Sequence, residues 1–229
     1  MEVYKNDNSH SGTLIVFEGI DGCGKTSVIE EVQKLLLKDI KNEKIVIFSN
    51  IEEGSTTGSA IRTMLSKPND TISNMRMVLL YLSELNYVVE KEKGIMEYLK
   101  EGYIVLCSRW FYSTYAYTNI ESNLIDNVIK SATVTFPLPD ITIYLKVDID
   151  TAIDRLKNNN KGDFFEKRDK LVKVLKNYKY LIDNKIMSQV ITIVNDKNFD
   201  FNTKMISDLI LTVNNMKELK NKINNGEKE

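Results

Sequence analysis

Five short apolar runs divide the chain at intervals: Leu14–Phe17, Ile45–Phe48, Tyr103–Cys107, Ile141–Val147 and Val190–Val194. They are rich in Val and Ile and do not alternate cleanly with polar residues. This is the pattern of parallel strands covered on both faces, where neither side of the strand meets water. Between them the apolar positions recur at helical spacing. Val28, Ile29, Val32, Leu35 and Leu36 form one stripe, with Glu30, Glu31 and Lys34 on the opposite side. Further helices are predicted over Met75–Lys91, Ile95–Lys100, Leu124–Ser131, Thr151–Leu156, Lys170–Ile182 and Thr203–Met216, and Arg62 also falls on a predicted helix. Strand–helix alternation of this kind predicts an α/β fold, three layers with a parallel sheet between helices. A flexible leader is expected over residues 1–12, a single domain over 13–216, and a polar, fraying tail over 217–229. Within the domain, the polar run from Asn158 predicts a small mobile lid at about 158–168.

The bulk properties narrow the function by exclusion. Formal net charge is −1, so no general field draws the chain to nucleic acid, and any anion site must be local. Two cysteines, Cys23 and Cys107, lie far apart without metal-ligand spacing, which argues against a zinc site or a disulfide framework. The single histidine, His10, sits in the polar leader and offers no general base. The start of the chain lacks the apolar core of a signal peptide, and no apolar run approaches a membrane span. A cytoplasmic protein without nucleic-acid or membrane partners is the expectation.

The chemistry enters at Gly19-Ile20-Asp21-Gly22-Cys23-Gly24-Lys25-Thr26. It matches G-x-x-x-x-G-K-[ST] in full, with a strand before it and an amphipathic helix after it. Glycines let the backbone wrap so that successive N–H groups face phosphate oxygens, and the following helix, from Lys25 through Ser27, presents its positive end to the same anion. Lys25 supplies a movable charge for a transferring phosphate, and the Thr26 hydroxyl can ligate Mg²⁺. ATP is the donor such a loop serves. Cys23 reads as a small filler, and Trp110 and Tyr115 as core. Arg109 follows the third strand at the sheet edge where α/β folds bind ligands, and its planar fork suits the phosphate of an acceptor. Arg62 can reach the same phosphate from the second loop.

Four segments resemble the thymidylate kinase family in order along the chain: Glu18–Thr26, Gly54–Arg62, Val105–Tyr117 and Pro139–Leu145, with Ala152 and Arg155 in an A-x-x-R pattern. The resemblance implies a P-loop fold with five parallel strands, a homodimer, and transfer of the ATP γ-phosphate to dTMP with Mg²⁺. It implies that Asp21 lies near the sugar 3′-hydroxyl, that Tyr81 stacks on the base, and that Ser113 and Tyr117 line the base pocket. Lys25, Arg109 and Asp21 then carry the catalysis, and Arg155, Lys161, Lys167 and Arg168 supply lid cations. The chain departs from the family at Ser108, where an acid is usual, at Asn50–Glu53 in place of R-E-P-G, at Leu85 in place of an arginine, and at Phe164 in place of a lid arginine. Three other readings stay open on these departures: a deoxynucleoside kinase, a kinase of another deoxynucleoside monophosphate, or a nucleotide-binding switch or pseudokinase.

Overall fold

A computed structural model describes residues 10–40, 44–66, 73–118, 123–158 and 168–224. Five strands, β1 (Thr13–Glu18), β2 (Ile45–Ser49), β3 (Ile104–Ser108), β4 (Ile141–Lys146) and β5 (Val190–Val194), form one parallel sheet in the order β2-β3-β1-β4-β5. The strand read as Tyr103–Cys107 is shifted by one residue, and each of the other four matches its apolar run to within a residue at either end. The central β1 is buried along its whole length, as its unbroken apolar run demands. The two edge strands differ from the expectation of cover on both faces: Ile47 of β2 and Val194 of β5 are exposed, because each edge lacks a strand on one side and is only partly roofed by helices.

The helices are α1 (Lys25–Asp39), α2 (Thr56–Leu65), α3 (Asn74–Glu90), α4 (Ile95–Lys100), α5 (Phe111–Tyr117), α6 (Asn123–Thr133), α7 (Ile149–Asn158), α8 (Arg168–Asp183) and α9 (Phe199–Asn224). Serine side chains start two of them. Ser55 accepts from the Gly58 N–H at α2, and Ser73 from the Arg76 N–H at α3, satisfying donors that a helix start leaves open. The short α5 was not among the helices read from periodicity, and the reason is compositional. Six of its seven residues, Phe111 to Ala116, are buried, so it has no polar face and no amphipathic rhythm. Trp110 and Tyr115 are core residues, as read from the sequence, with Trp110 edge-on to Phe136. Among the described residues no helix is long and apolar enough to cross a membrane.

Both ends of the domain run past the boundaries read from composition. At the start, His10 is buried and the Gly12 N–H donates to the Leu99 carbonyl at 2.7 Å. At the other end, Lys217 lies within α9 rather than in a fraying tail. Its ammonium donates to both Asp140 oxygens at 2.8 Å, and Asp140 also accepts from the Leu14 N–H at 2.8 Å. The composition was polar, but the charge is satisfied internally: the two side chains are 10% and 12% exposed. Asp140→Ala strands the Lys217 ammonium in this dry corner. The expected loss is about 3–5 kcal/mol of unfolding free energy, read from urea denaturation of the variant against the parent.

Candidate active site

The phosphate loop spans the turn from β1 to α1. A Cβ on Gly22 would lie 2.4 Å from the Ala152 carbonyl, and its φ is +78°. Only glycine fits there, because α7 packs its backbone against the loop. Lys25, at the first position of α1, curls over its own loop. Its ammonium donates to the carbonyls of Gly19 and Ile20, both at 3.0 Å, and lies 3.5 Å from the Cys23 sulfur. Burial, then the nearby Arg109 charge, lowers the pKa of Lys25, while Cys23, Asp21 and Glu18 pull the other way. Thr26 and Ser27 follow on the exposed side of α1.

Arg109 is the hub of the site. It adopts a left-handed backbone, φ +71°, which costs a non-glycine residue of order 1 kcal/mol and persists because the surroundings fix it. Its N–H donates to the Phe17 carbonyl at 2.9 Å, joining the ends of β3 and β1. Its guanidinium donates to Gly19 O (3.2 Å), Ser113 Oγ (3.0 Å) and Tyr117 Oη (3.1 Å), and pairs with Asp21. Tyr117 lies under the guanidinium, 4.8 Å from ring centre to carbon, and donates its hydroxyl to Asp21 at 2.8 Å. Burial drives the Tyr117 pKa well up, so it stays a neutral donor. Burial would also discharge Arg109, but the Asp21 carboxylate beside it holds it cationic, above its ordinary value. For Asp21 burial again opposes the charge, and Arg109 followed by Lys25 overrides it to give a lowered pKa.

Beneath Arg109 lies a buried carboxylate. Glu18, the last residue of β1, accepts from the N–H groups of Trp110 (2.8 Å) and Ser113 (3.2 Å), and from the hydroxyls of Ser113 and Tyr178, both at 2.7 Å. Ser113 therefore belongs to this network as well as to the wall of the site.

A cavity of about 410 Å³ opens beside the hub, a volume suited to a small ligand. Asp21, Asn50, Ile51, Arg62, Leu65, Ser66, Tyr81, Arg109, Ser113, Thr114 and Tyr117 line it. Every residue the sequence assigned to the acceptor is here: Arg62, Tyr81, Arg109, Ser113 and Tyr117. Leu85 is not; it is buried in the core. The neighbouring Glu84 is also buried, and accepts from the Glu52 N–H (2.9 Å) and the Ser55 hydroxyl (2.7 Å), tying the β2–α2 loop to α3. The expected lid cations separate. Arg155 stands behind the phosphate loop, its guanidinium on the Asn195 carbonyl at 2.9 Å and near that of Gly22 at 3.5 Å. Arg168 pairs with Asp150 at the surface, and Lys161 and Lys167 lie outside the described residues. Tyr178 and Asn195 escaped the sequence reading. Tyr178 sits on an amphipathic stripe where an aromatic signals only core, and Asn195 is a single polar residue ending an apolar strand.

A phosphate loop at the carboxyl end of β1 beside an arginine-rimmed cavity defines a P-loop phosphotransferase. The sequence profile of thymidylate kinase matches residues 17–201. The chain is 36% identical over 154 residues to thymidylate kinase of Enterococcus faecalis, covering 65% of this chain and 70% of that one. It is 33% identical over 180 residues to the enzyme of Thermoanaerobacter sp., covering 73% and 85%. In fold it is similar to thymidylate kinase from Candida albicans, with a TM-score of 0.70 at 21% identity over 91% of this chain and 94% of that one. The chain belongs to the thymidylate kinase family. It is a nucleoside-monophosphate kinase of the reaction ATP + dTMP to ADP + dTDP.

The Asp21 charge has a pH signature. A carboxylate whose folded pKa lies below its unfolded one adds stability above the unfolded value, and that contribution is lost as pH falls through the folded value. Asp21→Asn is therefore expected to be less stable than the parent at neutral pH. The gap should close as pH drops below about 3.9, the ordinary carboxylate value. Paired urea titrations between pH 7 and pH 2.5 measure it.

Proposed function

We propose that this chain divides dTMP phosphorylation between two walls that meet at Arg109. The phosphate loop, from Gly19 through Ser27, takes the ATP phosphates, and the cavity of Arg62, Tyr81, Ser113 and Tyr117 takes dTMP. The observation that carries this reading is the reach of one guanidinium: Arg109 touches the loop at Gly19 and Asp21 while lining the acceptor cavity. Phosphoryl transfer asks the protein mainly for alignment and charge. Lys25 leaves its loop carbonyls for the transferring phosphate. Arg109, with Arg62, neutralises the acceptor phosphate that must approach it. Asp21, kept ionised, orients Arg109 and accepts from the sugar 3′-hydroxyl, and Tyr81 packs against the base.

Mg²⁺ fits this site as a companion of ATP rather than as a resident ion. The Thr26 hydroxyl is exposed and, among the described residues, makes no hydrogen bond. The nearby carboxylates are committed, Glu18 to four protein donors and Asp21 to Arg109 and Tyr117. Among the described residues no cluster of three acidic, His or Cys side chains could cage a metal. Bound there, the ion would supply positive charge to offset that of the phosphates. Thr26 would hold it, with Ser108 offering at most a neutral hydrogen bond. The protein works as a cytoplasmic homodimer without nucleic-acid partners. The large apolar side chains Leu79 and Tyr87 on α3 and Leu124 on α6 are exposed, as a surface shared between two copies would be.

Three measurements test this reading. Lys25→Ala should lower kcat by roughly a thousandfold or more, with the fold intact by circular dichroism; activity within tenfold of the parent overturns the role. Arg109→Ala should raise the KM for dTMP and lower kcat with the KM for ATP nearly unchanged. Equal loss on both sides would move Arg109 to the donor. ADP release with dTMP but not with thymidine separates monophosphate kinase from nucleoside kinase.

A further inference from the structure

Behind the phosphate loop, on the side away from the acceptor cavity, lies a polar group that the chemistry above does not use. We propose that Asn195 is a positioning residue for the donor phosphates, turning the Cys23–Gly24 peptide so that the Gly24 N–H faces them. The proposal rests on the assignment of the loop to ATP. Asn195 closes β5 and is 4% exposed. Its side-chain amide donates to the Cys23 carbonyl at 2.8 Å. A trans peptide sets N–H and C=O on opposite sides, so a carbonyl held backwards towards β5 directs the Gly24 N–H forwards into the loop. The amide lies flush against the turn: a Cβ on Gly24 would fall 2.9 Å from the Asn195 side-chain nitrogen. This contact, together with φ +92°, explains why glycine is needed there.

Asn195 is itself held from every direction. Its N–H donates to the Lys146 carbonyl at 2.7 Å, and its own carbonyl accepts from Arg155 at 2.9 Å. Its side-chain oxygen faces the Asn202 amide at 3.4 Å, and that amide is fixed by the carbonyls of Val194 (2.9 Å) and Lys197 (3.2 Å). The order of the Asn195 side-chain atoms follows from these neighbours. Reversed, its oxygen would meet the Cys23 carbonyl and its nitrogen the Asn202 amide, two repulsive contacts in place of two bonds. The loop is thus braced by β4, β5 and the start of α9 on the face opposite the phosphate, and the brace needs a neutral donor. A carboxylate in the same shape would oppose the Cys23 carbonyl and bring negative charge behind the phosphate site.

The test is calorimetric binding of ADP and, separately, of dTMP to the full chain, for the parent, Asn195→Asp and Asn195→Ser. Asn195→Asp should bind ADP roughly tenfold or more weakly, and Asn195→Ser several-fold more weakly. Both should bind dTMP within twofold of the parent, since the acceptor cavity, Asp21 apart, is built from other elements. A general loosening of the fold would weaken both ligands alike, and that result overturns the proposal. So does ADP affinity within twofold of the parent in whichever variant folds. A parent that binds dTMP but not ADP would instead remove the assignment of the loop to ATP, and the proposal with it.

Discussion

The Glu18 carboxylate is the group on which the site is built. A buried charge is tolerated only when its lone pairs are filled, and here two backbone N–H groups and two hydroxyls fill them. The backbone donors lie at the start of α5, where the Ser113 N–H is shared with the Trp110 carbonyl at 3.0 Å, so a carboxylate from β1 does for that helix what a local cap does for others. Tyr178 brings α8 to the same point. One side chain thereby fixes the distance between the end of β1, where the phosphate loop starts, and the start of α5, whose residues wall the cavity beside Arg109. Arg109 lies between those two points, and its unusual backbone follows from the constraint on either side.

Above Glu18 the charges are arranged in alternation. Burial and then the Arg109 charge lower the affinity of Lys25 for a proton, and Asp21 opposes that effect while pairing with Arg109. Two cations thus share the buried site with two carboxylates, Asp21 beside them and Glu18 beneath. With Lys25 and Arg109 meanwhile hydrogen-bonded to loop carbonyls, neither cation is left without partners in the dry interior. The backbone is prepared in the same sense: Ala152 presses against Gly22, and the Asn195 and Arg155 side chains hold carbonyls of the turn.

Much of this was legible in the residues. Burial on both faces writes itself as unbroken apolar runs, so the central strands were readable nearly to the residue. The phosphate loop was legible because its geometry forces glycine and because the charge must follow at a fixed spacing. That Arg62, Tyr81, Arg109, Ser113 and Tyr117 line one cavity was legible only through resemblance, since no local spacing says that α2, α3 and α5 face one another. What escaped has a common cause. Tyr178, Asn195 and Glu84 act through long-range hydrogen bonds, and a lone polar side chain inside an apolar pattern carries no period. The tail boundary at Lys217 failed for a related reason: composition counts charges, whereas the fold pairs them, here with Asp140 seventy-seven residues earlier.

The strand order has a consequence for how the chain comes into being. β1 and β2 leave the ribosome first, yet they are not neighbours; each pairs with β3 and neither with the other. Until Ser108 has emerged no two strands of the sheet can join. At ordinary rates of synthesis β1 therefore waits on the order of ten seconds with its apolar residues unpaired. β3 is the keystone in time as well as in space: its arrival closes two strand pairs at once and delivers Arg109 beside a phosphate loop made long before it.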